Sequence, residues 1–214
     1  MKITITGGSG FLGSHVADEL TARGHKVKIF DKKKSKWKKS NQKIFIGDIL
    51  NSKKLERVIK GSDIVFHFAA LADLDDALHK PLQTVTNNIL GTVSLLELAK
   101  KHNIKRIVYA SSIYSMSVQG GFYRCSKKAA EDYIEEYYKR FGLNFTILRY
   151  GSLYGLRTDK SNGVFKIISD ALNKKKLMYI GNKNSVRKYI HVKDAAKATA
   201  NIISKKYKNK YVNI

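Results

Sequence analysis

Gly7-Gly8-Ser9-Gly10-Phe11-Leu12-Gly13 follows directly on residues 2–6, KITIT, a run in which β-branched residues dominate. A strand that stops in glycines and restarts in an apolar helical pattern is a strand, tight turn and helix in sequence. The helix is predicted over 11–23, with Leu12, Val16, Ala17 and Leu20 on one face and Gly24 ending it. Outward from this unit the pattern recurs. Strands are predicted over 26–30, 43–46, 63–68, 106–110 and 144–148, and helices over 52–60, 82–101 and 123–140. Such alternation with short connections means an α/β fold, a doubly wound parallel sheet covered on both faces. After Leu148 the pattern loosens into a polar stretch to Ser161, a helix near 164–173, a short strand at 177–180, a helix near 192–204 and a last strand at 210–213.

The 214 residues, 43% of them hydrophobic, suffice for one sizeable core or a core with a small appended lobe. Residues 1–150 are expected to form a dinucleotide-binding domain and 151–214 a partial, integrated substrate lobe. There is one proline, Pro81, and no linker-like composition. The sole cysteine, Cys125, cannot form an internal disulfide, and no signal-peptide or membrane-span pattern is present, so a cytoplasmic location is expected. The formal charge of +24 would suit nucleic acid, an acidic surface or anionic substrates. Because the excess is mostly lysine spread along the whole chain, a solvated basic surface is the favoured reading and nucleic acid is not expected as a partner. The densest run, Lys32 to Lys39, is expected to be an exposed loop, with Trp37 as its one candidate stacking platform. Six histidines lie scattered without metal-ligand spacing, and no metal is expected. Among them, His67 is expected to end a buried strand.

In an open parallel sheet the ligand sits beyond the carboxyl ends of the strands, so the residues following each strand carry the chemistry. Gly7, Gly10 and Gly13 stand three apart at the first strand–helix junction. A pyrophosphate needs backbone that approaches without a Cβ and free N–H groups at a helix start, and this turn offers both. Asp31 ends the second strand at about the expected 20 residues past the turn, where a carboxylate accepts hydrogen bonds from ribose hydroxyls. It would repel a 2′-phosphate, which favours NAD over NADP despite Lys32 to Lys34. Asp48 and Ile49, after the third strand, are placed against the adenine amino group and ring.

Tyr123 and Lys127 lie four apart on a predicted helix and share a face. A phenol is a poor base at its ordinary pKa of about 10, and a neighbouring ammonium and a cationic nicotinamide are both expected to favour the phenolate. Ser111 and Ser112 end the preceding strand, where a hydroxyl can orient a substrate oxygen toward Tyr123.

The ordered series GGSGFLG, Asp31, GDI at 47–49, HFAA at 67–70, NILGT at 88–92, YASS at 109–112 and YRCSK at 123–127 resembles the extended short-chain dehydrogenases/reductases, the NAD-dependent epimerase/dehydratase group. The likeness continues through RYGSLYGLR at 149–157 and VRKYIHVKDAA at 186–196. It implies a Rossmann-type fold and an epimerase or related oxidoreductase acting on a nucleotide-linked sugar. By the resemblance, Tyr123 is the general acid/base, Lys127 binds the nicotinamide ribose and Ser112 bonds the reacting hydroxyl. Phe68, Ala69 and Ala70 line the cofactor channel with Phe11 and Leu12, Asn88 supports the site, Ser152 and Arg187 meet substrate, and Asp194 is structural. A sugar carbon then gives hydride to NAD as Tyr123 takes the hydroxyl proton, and in an epimerase the keto sugar turns over and is reduced from its other face.

Where sugar dehydratases of this group carry Asp-Glu after the active-site hydroxyl residue, this chain has Ile113 and Tyr114, so dehydration is not expected. Ten residues separate Ser112 from Tyr123, a shortened loop; Ser152 stands where Asn is common; and the chain ends where family members usually continue. Other readings are an NAD(P)H-dependent carbonyl or sugar reductase, or a non-catalytic dinucleotide-sensing or RNA-binding member of the fold. The helix set Ala130, Tyr133, Ile134, Tyr137, Tyr138 and Phe141 is wider than one core face needs. With helix 82–101, by family resemblance, it implies a homodimer contact.

Overall fold

A computed structural model describes residues 1–175, 177, 184 and 186–214. The short strand expected at 177–180 falls largely on residues outside that description. Strands β1 (Lys2–Thr6), β2 (Lys26–Asp31), β3 (Lys43–Ile46), β4 (Ile64–His67), β5 (Arg106–Ser112), β6 (Phe145–Tyr150) and β9 (Lys210–Asn213) form a sheet in the order β3-β2-β1-β4-β5-β6-β9. Every pairing in it is parallel. Between β3 and β4 runs α2 (Ser52–Ile59), capped by Asn51, whose side chain accepts from the Lys54 N–H. The order reverses between β1 and β4, and there the carboxyl ends leave a cleft.

Because β4 and β5 are buried along their whole length, their apolar residues run on without alternation, 64–66 in one and 107–110 in the other. Two buried clusters cover the two faces. One packs α5 (Gly91–Lys101) and α6 (Gly121–Phe141) through Leu95, Leu96, Ala130 and Ile134; the other packs α1 (Phe11–Ala22) and α8 (Val192–Asn201) through Val16, Leu20, Ala195 and Ala196. The last strand and α8 thus belong to the main sheet and its cover, although they lie in the C-terminal part of the chain. A second, two-stranded parallel sheet joins β7 (Ser152–Tyr154) to β8 (Tyr189–His191), with α7 (Gly163–Lys174) between them in the chain, and had no period-2 signal at three residues each.

The long helix expected at 82–101 is continuous but not uniform. The four-residue α4 (Pro81–Thr84) passes through a π-helical turn, Val85–Leu90, into α5. α3 (Leu74–His79), capped by Asp73, precedes it and was not expected. The Lys32–Lys39 loop is exposed except at Ser35, and Trp37 lies under the Arg157 guanidinium, 5.1 Å from its ring centre.

Arg106, at the start of β5, is buried and donates to the carbonyls of Ile202 (2.9 Å), Ile203 (2.7 Å) and Ser204 (3.2 Å), closing the end of α8. Replacing it by methionine leaves three carbonyls without their donor. Arg106→Met should therefore cost at least ~2 kcal/mol in urea denaturation, and a change below ~0.5 kcal/mol would show that the cap is not needed.

Candidate active site

The glycine turn closes the cleft floor. Gly7 adopts φ +72°, and a Cβ there would lie 2.5 Å from the Ala69 nitrogen. At Gly13 it would lie 2.3 Å from the Gly7 carbonyl oxygen, so the start of α1 can rest on the turn only as glycine. α1 has no side-chain cap and no acidic residue in its first turn, which leaves its N–H groups and positive end for an anion.

Above this floor lies a cavity of ≈ 500 Å³, the scale of a ligand pocket. It is lined by Gly7, Gly10, Phe11, Leu12, Gly13, Asp31, Ile49, Phe68, Ala69 and Ala70 at one end and by Ser112, Tyr123 and Lys127 at the other. Asp31 accepts from the Ser9 and Lys33 N–H groups, 2.9 Å each, which fixes its carboxylate at the cavity edge. Lys32 and Lys33, weighed in the sequence for a 2′-phosphate, also line the space, as do Phe30 and Asn87, which were not singled out.

Two of the expected residues, Asp48 and Asn88, are not in this lining. Asp48 pairs with Lys32 at 3.0 Å and accepts from the Leu50 N–H at 2.9 Å, contacts that hold its carboxyl below the usual range despite partial burial. Asn88 is buried behind the cavity, where it accepts from the Leu71 N–H (2.7 Å) and donates to the Leu71 carbonyl (3.0 Å) and Ser126 Oγ (2.9 Å). It braces the wall, while its neighbour Asn87 lines the cavity.

β5 runs to its end in Ser112, which caps a 3-10 turn, Ile113–Met116. Gly120 and Gly121, at φ +98° and +49°, then bring the chain straight into α6, so ten residues suffice to reach Tyr123. Tyr114 from that turn stands edge-on to the Tyr123 ring, with centres 6.4 Å apart. Tyr123 is half-buried, and desolvation pushes its phenol up to about 12, with a Ser112 hydrogen bond acting the other way. The expected lowering by Lys127 is not what this arrangement gives. The Lys127 amine is buried, donates to the Ala110 carbonyl at 2.7 Å and lies 5.7 Å from the Tyr123 ring centre. Burial lowers it to about 7, opposed by the Glu131 carboxylate.

His67 ends β4 as expected, bonded to Thr6 Oγ1 (2.7 Å) and Thr92 Oγ1 (3.0 Å) and lowered by burial to about 3, which keeps it neutral. A second cavity of ≈ 480 Å³ shares Phe11, Ser112 and Tyr123 with the first and extends to Ser152, Arg187, Asp73 and Asp75. Ser152 and Arg187 therefore face the same space from β7 and from the segment before β8.

The NAD dependent epimerase/dehydratase family model matches residues 3–214. The chain belongs to that family. It is 32% identical to a dTDP-D-glucose 4,6-dehydratase of Dictyostelium discoideum over 95% of this chain and 56% of that protein. A UDP-glucose 4-epimerase of Thermotoga maritima, solved with UDP-glucose, superposes with a TM-score of 0.90 at 30% identity, covering 100% of this chain and 76% of that one. The UDP-glucose 4-epimerase of Thermus thermophilus, solved with NAD, gives 0.88 at 29% identity over 100% and 77%. For an NAD-dependent epimerase/dehydratase family member, the first cavity fits its dinucleotide: a Cβ-free anion cradle, a carboxylate in the lining and a hydroxyl, a phenol and an amine in the same wall.

The Lys127 amine links this site to stability. Unfolded, it holds its proton up to about pH 10, the ordinary lysine range; folded, it releases it near 7. Between those values the unfolded chain binds more protons, so the parent gains stability as pH rises. The unfolding free-energy difference between the parent and Lys127→Met should shift in the parent's favour by a few kcal/mol across that window. A difference that stays constant with pH would contradict the buried-amine geometry.

Proposed function

We propose that the chain is an epimerase, or a close oxidoreductase relative, that acts on a nucleotide-linked sugar through Ser112, Tyr123 and Lys127. The observation that carries this reading is that all three line one cavity with the glycine cradle. NAD, when bound, supplies hydride acceptance and return. Gly7, Gly10 and Gly13 would hold its pyrophosphate, Asp31 its adenosine ribose and Lys127 its other ribose. Ser112 orients the sugar hydroxyl, and Tyr123 exchanges that hydroxyl's proton. Arg187 supplies positive charge for the substrate diphosphate in the adjoining cavity, and Ser152 a polar contact. Residues 1–150 thus serve the cofactor and 151–214 contribute to the substrate side. Epimerisation is favoured over dehydration because Ile113 and Tyr114 supply no carboxyl after Ser112.

Incubation with a panel of nucleotide sugars, read by proton NMR, tests the activity. Tyr123→Phe should lower turnover by on the order of a thousandfold while leaving NAD binding intact. Parental turnover in that variant would overturn the assignment of Tyr123.

A homodimer and a cytoplasmic location belong to the same proposal. The absence of any helix, among the described residues, long and apolar enough to cross a membrane agrees with the location, as does the sole Cys125. For the dimer, Leu82, Val85 and Leu90 along the 81–101 helical stretch and Tyr133, Tyr138 and Phe141 on α6 are exposed, whereas Ala130, Ile134 and Tyr137 fill the core. Sedimentation velocity should give a dimer that Leu90→Glu with Phe141→Glu converts to monomer; a parent that sediments as monomer contradicts it.

A further inference from the structure

Glu131 is fully buried, one turn beyond Lys127 on α6, in a chain with only 17 acidic residues against 41 basic ones. Its Oε1 accepts from Ser115 Oγ (2.9 Å) and Arg149 Nε (3.0 Å), as well as from the Ser111 hydroxyl, and its Oε2 accepts from Arg149 Nη2 (2.6 Å). A buried carboxylate this fully bonded is expensive to lose and pins whatever donates to it. Ser111 precedes Ser112 on β5, and Ser115 Oγ, shared with Glu131, also donates to the Ser112 carbonyl at 2.8 Å. Ser111 turns its hydroxyl to the carboxylate at the border of the first cavity, and Ser112, the next residue of the same strand, lines that cavity beside Tyr123.

We propose that Glu131 is a positioning residue for the Ser112–Tyr123–Lys127 group: it fixes the backbone that presents the Ser112 hydroxyl, and its negative charge holds the Lys127 ammonium in place. This rests on the active-site reading above. The charged and titratable groups around Lys127 are Tyr123 and Glu131 on α6, Tyr109 on β5, whose ring centre is 4.9 Å from the amine, His67 on β4, and Arg149 on β6 beyond Glu131. Glu131 is the one anion in this set and Arg149 its partial neutraliser. Burial opposes the Lys127 charge and Glu131 supports it, so the carboxylate decides how much of the ammonium survives near neutrality.

The test is a titration of lysine Cε resonances by NMR in selectively labelled protein, with Lys127 assigned by its loss in Lys127→Arg. Glu131→Gln keeps the shape and removes the charge. The Lys127 midpoint, near 7 in the parent, should fall by about one unit, a tenfold loss of proton affinity. Should Glu131→Gln fail to fold, Arg149→Gln reads the same network from its other side and should raise the midpoint. A midpoint unmoved in whichever variant folds overturns the proposal, because a merely structural role would lower the melting temperature without touching that titration. Failure of the catalytic reading is separable: it shows as unimpaired turnover in Tyr123→Phe, whatever Lys127 does.

Discussion

The close approach of α1 to the ends of β1 and β4 is the constraint on which the site depends. Gly7 must turn with a left-handed backbone against Ala69, and Gly13 must sit against the Gly7 carbonyl, before the cavity can have a floor. A methyl group at either place would lift the helix off the sheet edge and move its free N–H groups out of line with the cleft. Because every strand of the main sheet is parallel, the ends of β1, β2, β4, β5 and β6 all open on the same side. The turn, Asp31, Ala69 and Ser112 are therefore brought together by topology rather than by long loops.

Within that frame, the site is a set of polar groups that burial has moved from their ordinary behaviour. His67 is kept neutral behind the wall, Tyr123 is held in its protonated form, and the Lys127 amine lies near the midpoint of its titration at neutrality. Each is held by a named partner: Thr6 and Thr92, Ser112, and the Ala110 carbonyl. A surface rich in lysine surrounds a core in which one carboxylate, Glu131, is fully enclosed against a partly exposed Arg149, and the Lys127 amine is one helical turn away.

Much of this was legible in the sequence. The glycine spacing, Asp31 and the Tyr123–Lys127 interval are local patterns, and local patterns survive folding. The alternation of strands and helices fixed the parallel sheet for the same reason. What was not legible depends on contacts across the chain. Glu131 looks like any helical glutamate until Arg149, 18 residues on, arrives from β6. Asp48 follows its strand as an adenine-binding residue would, and its pairing with Lys32 across the neighbouring strand shows only in the fold. The expectation that Lys127 lowers the Tyr123 pKa followed from their shared helix face; it left out burial, which desolvates the phenol and the amine alike. The β7–β8 pair is too short for a period, and the π-helical turn that sends Asn87 to the cavity and Asn88 behind it has no signature in composition.

Calorimetric titration of NAD and of NADP into dinucleotide-free protein tests the central claim most directly, since the cavity is read as one dinucleotide site running from Asp31 to Lys127. NAD should bind more tightly than NADP, Asp31→Ala should narrow that preference, and Lys127→Met should weaken NAD. Binding of neither dinucleotide, or equal binding of both with no response to either substitution, would contradict the account.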